Sequence, residues 1–412
     1  MTDYDTLYRL YDEFDTAALR DNQEFVDVFP PVDSRVGLDY WADARQELGE
    51  RREAIRRSLG PEGDTLAEIA SRATREQAFT ALDLLSTYDR GVNALVLDVD
   101  ETLRSAGSTD NEIPRETLHV ITELVESGVP LVVCTGQTLE NVKGFAVQGL
   151  GNELVHSGSV SIVYEAGTGV FTPGHGPQTK QLLYEGLDPA VRSVFDRLRV
   201  GALSEAPEDV RRGCHRQGNE FNVTLKPNFE TASESARTVV DRGMINLLDL
   251  LGAAVGEELR LDTGAADWAR SFYADVDPEI AGVLEDADAQ VSVDVPAEAR
   301  DLFERIDAGY YEADAAEIGS RELNKVVGVE AALDVLGVED PFVLVMGDSK
   351  TDLRVMEWAA ETDAGIAAAP DHASEAVLDH VRRRDGLVFD RGDAAAPLRV
   401  VYALNSLAGT TR

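Results

Sequence analysis

Three short apolar runs, with helical patterns between them, constrain the fold of this chain more than any other feature. The runs occupy residues 94–97, 129–134 and 342–346. Runs of this length are typical of strands that are buried on both faces of a parallel sheet. Apolar residues spaced three and four apart predict helices at 114–127 and 324–336. This alternation predicts an α/β fold with a doubly wound, Rossmann-like parallel sheet.

The same patterns divide the chain into four segments. We predict a mostly helical N-terminal extension over 1–90, because apolar residues recur there at helical spacing among Arg and Glu. Residues 91–175 and 313–412 carry the parallel-sheet pattern, and residues 176–312 form a less regular α+β insert between them. The finer predictions are one helix over 65–85, a hairpin over 154–172, and period-two strands over 220–225 and 290–295.

Polar residues follow each apolar run, where a strand would end. They are, in chain order, Asp98, Asp100, Thr135, Gly136, Asp348 and Asp352. Ligands of open α/β sheets bind at these carboxyl ends, and carboxylates suit Mg²⁺. Asp98 and Asp100 can reach one site only if the backbone turns after the strand, because successive side chains of a strand alternate in direction.

These residue types favour magnesium-assisted phosphoryl transfer. The hydroxyl of Thr135 and the backbone N–H of Gly136 can hold a phosphoryl oxygen, and Lys325 supplies a compact cation to neutralise the phosphate. The alternative is an ordinary acidic loop after a strand, since the chain carries 76 acidic residues.

The order of these residues resembles the haloacid dehalogenase-like (HAD) superfamily of aspartate-nucleophile phosphatases. Asp98-Val-Asp100-Glu-Thr102 is similar to its DxDxT first motif. Residues 347–352, Gly-Asp-Ser-Lys-Thr-Asp, are similar to its GDxxxD fourth motif. Thr135 and Lys325 stand in the positions of the second and third motifs. The resemblance covers roughly residues 91–175 and 313–412.

The resemblance implies a role for each residue. Asp98 would be the nucleophile that forms an aspartyl-phosphate, and Asp100 the general acid and then the general base. Mg²⁺ would be held by Asp98, the backbone carbonyl of Asp100 and Asp348, with Asp352 as a further ligand or as a residue that orients one. The residues implied to bind the phosphoryl group are Thr135, Gly136 and Lys325.

The position of the insert is similar to that of the C2-capped members of this superfamily. The interval between Asp98 and Thr135 is too short for a cap domain, whereas the interval between Thr135 and Lys325 is long enough for one. Such members include Cof-type and other sugar phosphatases, which implies a sugar or polyol phosphate as substrate. Gln137 departs from the pattern, because many C2-capped members carry Arg there. Candidate specificity residues of the cap are Arg216, Asn219, Asn222 and Lys226.

Two other classes of function stay open at this point. A phosphotransferase or phosphomutase on the same scaffold would pass the phosphoryl group to a sugar hydroxyl instead of water. A non-enzymatic phosphate-binding or phospho-aspartate signalling module also places clustered Asp, Thr and Lys on a parallel sheet. Asp100 argues against the signalling module, since it adds the acid/base group that a slow switch lacks.

The charge of the chain bears on its partners. The formal net charge is −38, which disfavours binding to nucleic acids and to anionic membranes. Only five of the 38 basic residues are Lys, and this composition resembles that of proteins from salt-loving archaea, with an acidic mesophilic protein as the alternative. High salt screens such self-repulsion. The N-terminus has no apolar leader and no apolar run approaches membrane-spanning length, so we expect a cytoplasmic protein; the oligomeric state stays open.

Overall fold

A computed structural model describes residues 3–28, 35–104, 112–261 and 265–410. These residues form two compact units. The first contains the described residues up to Val163, Val170–Lys180 and those from Val329 onward. The second contains Tyr164–Gly169 and the described residues of Gln181–Gly328.

The secondary structure alternates between strands and helices through most of the chain. The strands are β1 (Ala94–Leu97), β2 (Leu131–Cys134), β3 (Val160–Tyr164), β4 (Gly169–Phe171), β5 (Gln181–Leu182), β6 (Cys214–Asn219), β7 (Asn222–Pro227), β8 (Ile306–Tyr311), β9 (Ala315–Ser320), β10 (Val343–Met346), β11 (Gly365–Pro370) and β12 (Leu387–Phe389). The helices are α1 (Asp3–Glu13), α2 (Thr16–Val28), α3 (Arg35–Leu59), α4 (Gly63–Arg72), α5 (Arg75–Tyr88), α6 (Arg115–Glu126), α7 (Leu139–Leu150), α8 (Asn152–Val155), α9 (Pro189–Ser204), α10 (Glu208–Gly213), α11 (Ser233–Leu259), α12 (Ala265–Val276), α13 (Pro278–Asp286), α14 (Ala297–Phe303), α15 (Lys325–Val335), α16 (Lys350–Glu361), α17 (Glu375–Arg383) and α18 (Ala395–Thr410).

The first unit is built on a sheet whose strands run in the order β12, β11, β10, β1, β2, β3 and β4, and the pairs from β12 to β3 are parallel. The register aligns Leu97 of β1 with Met346 of β10 on one side and with Val133 of β2 on the other. All residues of β1, β2 and β10 are buried, as expected for strands that are covered on both faces. The carboxyl ends of these three strands therefore meet at one edge, which confirms the predicted α/β fold.

The helices before β1 pack onto this unit. Helices α4 and α5 contact α18, and α2 contacts α6. The segment predicted as one helix over 65–85 is two helices, because the chain leaves helical geometry at Ala73 and Thr74. Thr74 begins α5 with a capping box, in which its hydroxyl accepts from the N–H of Gln77 and the Gln77 side chain accepts from the N–H of Thr74.

The second unit contains an antiparallel sheet with the strand order β6, β7, β9 and β8. Helices α9 and α11 pack against β7, and α11 also contacts β9. The core between them consists of fully buried apolar side chains, among them Phe195, Leu225 and Leu247. No helix among the described residues is long and apolar enough to cross a membrane.

One sequence-based strand prediction is wrong, and another describes only part of what the structure shows. The strand predicted over 290–295 is absent, since these residues form no strand and four of them are exposed. The partners of β7 are instead β6 and β9, whose small and polar residues gave no strand pattern. The predicted hairpin over 154–172 contains β3 and β4, which are neighbours in the sheet, but β3 also pairs in parallel with β2.

Candidate active site

Asp98 lies directly after β1, at the edge where the parallel strands end. Its side chain is 6% exposed, and its backbone N–H donates to the carbonyl of Met346 at 2.9 Å. The chain turns immediately afterwards, since the N–H groups of Leu103 and Arg104 both donate to the carbonyl of Val99 at 3.1 Å. This is the turn that the alternation of strand side chains required.

Three carboxylates meet at this edge. One oxygen each from Asp98, Asp348 and Asp352 lies within 4.8 Å of the others, and we call this group the strand-end cluster. Asp98 and Asp352 are buried and Asp348 is partly buried. Like charges at this separation in a buried site destabilise one another unless a cation or a proton offsets them. An all-oxygen donor set of this kind fits a hard divalent cation such as Mg²⁺.

The local sequence around Asp352 fixes its carboxylate. Asp352 lies in the first turn of α16, where its Oδ2 accepts from the N–H and the hydroxyl of Ser349, at 3.1 and 2.6 Å. Gly347 makes room for this arrangement, because a Cβ atom there would lie 2.3 Å from the Cβ of Asp352. Thr102 Oγ1 lies 3.4 Å from Asp348 Oδ1 and links the loop after β1 to the cluster.

Thr135 and Gly136 follow β2, the neighbour of β1. Thr135 is fully buried, its N–H donates to Val163 at 2.9 Å, and its Oγ1 accepts from the N–H of Gln137 at 3.1 Å. That contact leaves the hydroxyl hydrogen of Thr135 able to donate. Gly136 is exposed, and no heavy atom would lie within 4 Å of a Cβ placed on it. The two residues thus present donors beside open space.

The carboxylate of Asp100 has hydrogen-bond partners that were not predicted from the sequence. Its Oδ1 accepts from Nε and Nη2 of Arg104, at 2.9 and 2.6 Å, and its Oδ2 accepts from Nε2 of Gln137 at 2.6 Å. Arg104 was not among the residues predicted for the site. The spacing of four residues between Asp100 and Arg104 was the available signal.

Glu101, between Asp100 and Thr102, adopts a left-handed backbone with φ of 58°. Such a conformation favours glycine and costs other residues about 1 kcal/mol or more. The Glu101 carboxylate accepts from Nη2 of Arg391 at 2.9 Å and lies 3.5 Å from Nε2 of His372. These contacts hold the strained turn in place.

Lys325 is the first residue of α15 and belongs to the second unit. It is 4% exposed. The side chain of Asn324 caps this helix, since its Oδ1 accepts from the N–H groups of Val326 and Val327, at 2.9 and 3.2 Å. The helix end therefore holds a buried ammonium group at a fixed position within its unit.

The four candidate specificity residues all have partners within the second unit. Arg216 donates to the carbonyl of Arg199, Asn219 donates to the carbonyl of Glu165, Asn222 accepts from Thr224, and Lys226 lies 3.4 Å from Asp314. Asn219 also accepts from the N–H of Phe221, so it shapes the turn between β6 and β7. These contacts give each residue a structural role, and their part in specificity stays a prediction.

A second group of ligand-type side chains lies in the first unit, where α2 meets α6. Asp27, His119 and Glu123 form this helix cluster, with His119 Nε2 at 3.3 Å from Asp27 and 3.7 Å from Glu123. Arg72 binds Glu123 through Nε and Nη2, at 2.9 and 2.5 Å. Together with Arg399, these side chains line a cavity of about 100 Å³.

The titration of the helix cluster follows from these contacts. The Asp27 carboxylate, 3.3 Å from Nε2, favours the imidazolium and raises the pKa of His119 above its usual value, although burial opposes the shift. Burial alone would raise the pKa of Asp27, but His119 and Gln23 outweigh it and hold that pKa below its usual value. The helix cluster therefore contains its own cations.

Comparison with known proteins gives structural similarity alone. No family model and no curated protein matches the chain. Among solved structures, it is similar to a trehalose-6-phosphate phosphatase from Aspergillus fumigatus, with 13% identity over 79% of this chain and 97% of that one, at a TM-score of 0.43. It is also similar to a HAD subclass IIB sugar phosphatase, with 15% identity, 76% and 98% coverage, and a TM-score of 0.42. A third similar structure is a haloacid dehalogenase-like hydrolase from Bacteroides thetaiotaomicron, with 14% identity, 75% and 98% coverage, and a TM-score of 0.39.

Proposed function

We propose that this chain is a Mg²⁺-dependent phosphatase that hydrolyses a small phosphorylated metabolite through an aspartyl-phosphate. The observation that carries the proposal is the strand-end cluster, in which Asp98, Asp348 and Asp352 converge within 4.8 Å. The cluster lies at the carboxyl ends of adjacent parallel strands, where open α/β sheets bind their ligands. The order of the surrounding motifs, which resembles that of the HAD superfamily, is the second support.

The residues present fit a magnesium ion. Asp98, Asp348 and Asp352 would hold it, together with the backbone carbonyl of Asp100. When bound, the ion would offset the charge of the carboxylates and of the substrate phosphate. The Ser349 contacts fix one oxygen of Asp352, so that ligand is oriented before any ion arrives.

The remaining chemistry belongs to side chains of the chain. Asp98 would attack the phosphorus atom, forming the aspartyl-phosphate as the bond to the leaving oxygen breaks. Asp100 would give a proton to that oxygen and would later take one from the hydrolytic water. The buried apolar strand β1 holds Asp98 rigidly, and the donors of Thr135 and Gly136 would stabilise charge on the phosphoryl oxygens. The phosphate-binding role of Lys325 stays a prediction from the resemblance.

We further propose a sugar or polyol phosphate as the substrate, and high salt as the working condition. The substrate proposal rests on the C2-like position of the insert, and the salt proposal on the net charge of −38 with Arg in place of most Lys. The cytoplasmic location also stays a prediction from the sequence.

A metabolite screen tests these proposals together. The purified chain would be incubated with a panel of sugar, polyol and nucleotide phosphates, with and without Mg²⁺, in about 0.1 M and about 2 M KCl. We expect phosphate release that needs Mg²⁺ and is fastest with a sugar or polyol phosphate. Turnover that requires a bisphosphorylated sugar would instead identify a phosphomutase. A phosphorylated Asp98 that persists for hours would identify a signalling module.

A further inference from the structure

The Asp100 carboxylate accepts three hydrogen bonds from two side chains. Arg104 makes two hydrogen bonds to Oδ1 and Gln137 makes one to Oδ2, all between 2.6 and 2.9 Å. A carboxylate has about four lone-pair sites, two on each oxygen. Among the described residues, these contacts occupy both sites of Oδ1 and one of Oδ2. Within the part of the chain that the structure describes, one site on Oδ2 stays open to a reacting group.

The fold fixes both donors. The turn after β1 brings Arg104 back over Asp100, and the Arg104 side chain is only 16% exposed whereas that of Asp100 is 50% exposed. Gln137 follows β2, where its own N–H is bound to the hydroxyl of Thr135 at 3.1 Å. The segments after two neighbouring strands therefore each place one donor side chain against the same carboxylate.

We propose that Arg104 and Gln137 are positioning residues that aim the open site of Asp100 Oδ2 at the reacting group. We call the pair the Asp100 clamp. The inference rests on the proposed function, because it assigns residues that make Asp100 effective as acid and base. Gln137, which departs from the superfamily pattern, thereby gains a role in this chain.

One site on Oδ2 can serve both chemical steps. In the first step, the proton on Oδ2 goes to the leaving oxygen, as the bond from phosphorus to that oxygen breaks and the bond to Asp98 forms. In the second step, the water oxygen bonds to phosphorus and the bond between phosphorus and Asp98 breaks. The water proton then returns to Oδ2. Loss of the clamp would misdirect this site without removing the nucleophile.

The test separates the two steps with p-nitrophenyl phosphate and Mg²⁺ in about 2 M KCl. p-Nitrophenolate leaves without needing a proton, so kcat/KM reports formation of the aspartyl-phosphate and kcat reports its hydrolysis. For Arg104→Met and Gln137→Leu we expect kcat to fall by about ten- to a hundredfold while kcat/KM stays within about twofold. A burst of p-nitrophenol matching the enzyme concentration should appear in stopped flow.

Controls define what would overturn the inference. Asp100→Asn should show the same fall in kcat more strongly, and the kcat of Arg104→Lys should lie between those of wild type and Arg104→Met. Arg9→Met, which removes an ion pair with Glu13 on the surface of α1, should behave as wild type. An equal fall in kcat and kcat/KM, or no change in either, would show that the clamp does not position Asp100. A wild-type chain that releases no p-nitrophenol would instead contradict the proposed function.

Discussion

The helix cluster and the strand-end cluster both bring three ligand-type side chains within 4.8 Å, but the ligand atoms that they offer differ. In the helix cluster, His119 takes up a proton readily and the Arg72 fork binds Glu123, so the carboxylates there have cationic partners from neighbouring helices. The strand-end cluster consists of carboxylates, and two of its three members are buried. Proximity alone therefore does not mark a functional site. The kind of ligand atoms in the cluster separates an ion pair that joins two helices from a site suited to a hard metal ion.

The strongest test of this contrast replaces one acid in each cluster. Asp98→Asn should lower phosphatase kcat by about a thousandfold or more, because the amide cannot act as the nucleophile. Asp27→Asn should leave kcat unchanged, since it lies in the helix cluster. Phosphate release from the best substrate measures both. An active Asp98→Asn variant would remove the basis for the proposed nucleophile.

Magnesium should stabilise the chain through one cluster and not the other. At a Mg²⁺ concentration a hundredfold above Kd, we expect about 2.7 kcal/mol of added stability, measured as a rise in Tm. Asp352→Asn should lose most of this gain, because an amide is a weaker ligand for Mg²⁺ than a carboxylate. Glu123→Gln should keep the full Mg²⁺ response. A response that Glu123→Gln abolishes would reverse the assignment of the two clusters.

A pair of glycine variants tests how tightly the strand-end cluster is built. In Gly347→Ala the new Cβ would lie 2.3 Å from the Cβ of Asp352, so Asp352 or the backbone must shift. The cost of such overpacking, about 1–3 kcal/mol, should weaken Mg²⁺ binding by about tenfold or more. Gly136→Ala, whose Cβ meets no atom within 4 Å, serves as the control. Isothermal titration gives both affinities, and equal values would show that the crowding at Gly347 is relieved elsewhere.

The smallest expected effect concerns the helix cluster and depends on pH. The folded pKa of His119 lies above its unfolded value, so its contribution is full below about pH 6.5 and is lost as the pH rises through the folded value. Asp27 has a lowered pKa, so its contribution is lost only as the pH falls through that lower value. His119→Gln should therefore cost about 1 kcal/mol near pH 6 and little at pH 9.

Denaturant unfolding at the two pH values measures this difference. The exposed His156 offers a matched control, since His156→Gln should show no comparable pH dependence. A cost for His119→Gln that is the same at both pH values would mean that His119 stabilises the helices by packing rather than by its charge.

Much of the strand-end cluster could be predicted from sequence, because strand ends are visible as the points where apolar runs stop. Asp98, Asp348 and Asp352 all follow such runs, and the structure brings them together. The partners of Asp100 could not be predicted in the same way. Gln137 reaches Asp100 from the segment after the neighbouring strand β2. The strand register and the side-chain rotamers decide which side chains meet in this way.

The second unit shows where pattern reasoning fails. Residues 290–295 alternate as a strand would, but alternation also arises in extended segments that pair with nothing. Strand β9 carries Ala, Gly or Ser at four of its six positions, so its composition resembles that of a loop. In the N-terminal region, the break between α4 and α5 depends on the capping box of Thr74 and Gln77. This motif spans four residues, and the helical spacing of apolar residues continues across it.

The turn at Glu101 should make the stiffness of the loop after β1 depend on ionic strength. A glycine at this position would adopt the same backbone without steric strain and would need no tether. Glu101 needs one, and the Arg391 guanidinium that supplies it is 49% exposed, so dissolved ions screen the attraction. The loop between Asp98 and Thr102 should accordingly loosen as salt rises, whereas a Glu101→Gly loop would move to the same extent at every salt concentration. The salt concentration of the solvent would thus set the mobility of the residues next to Asp98.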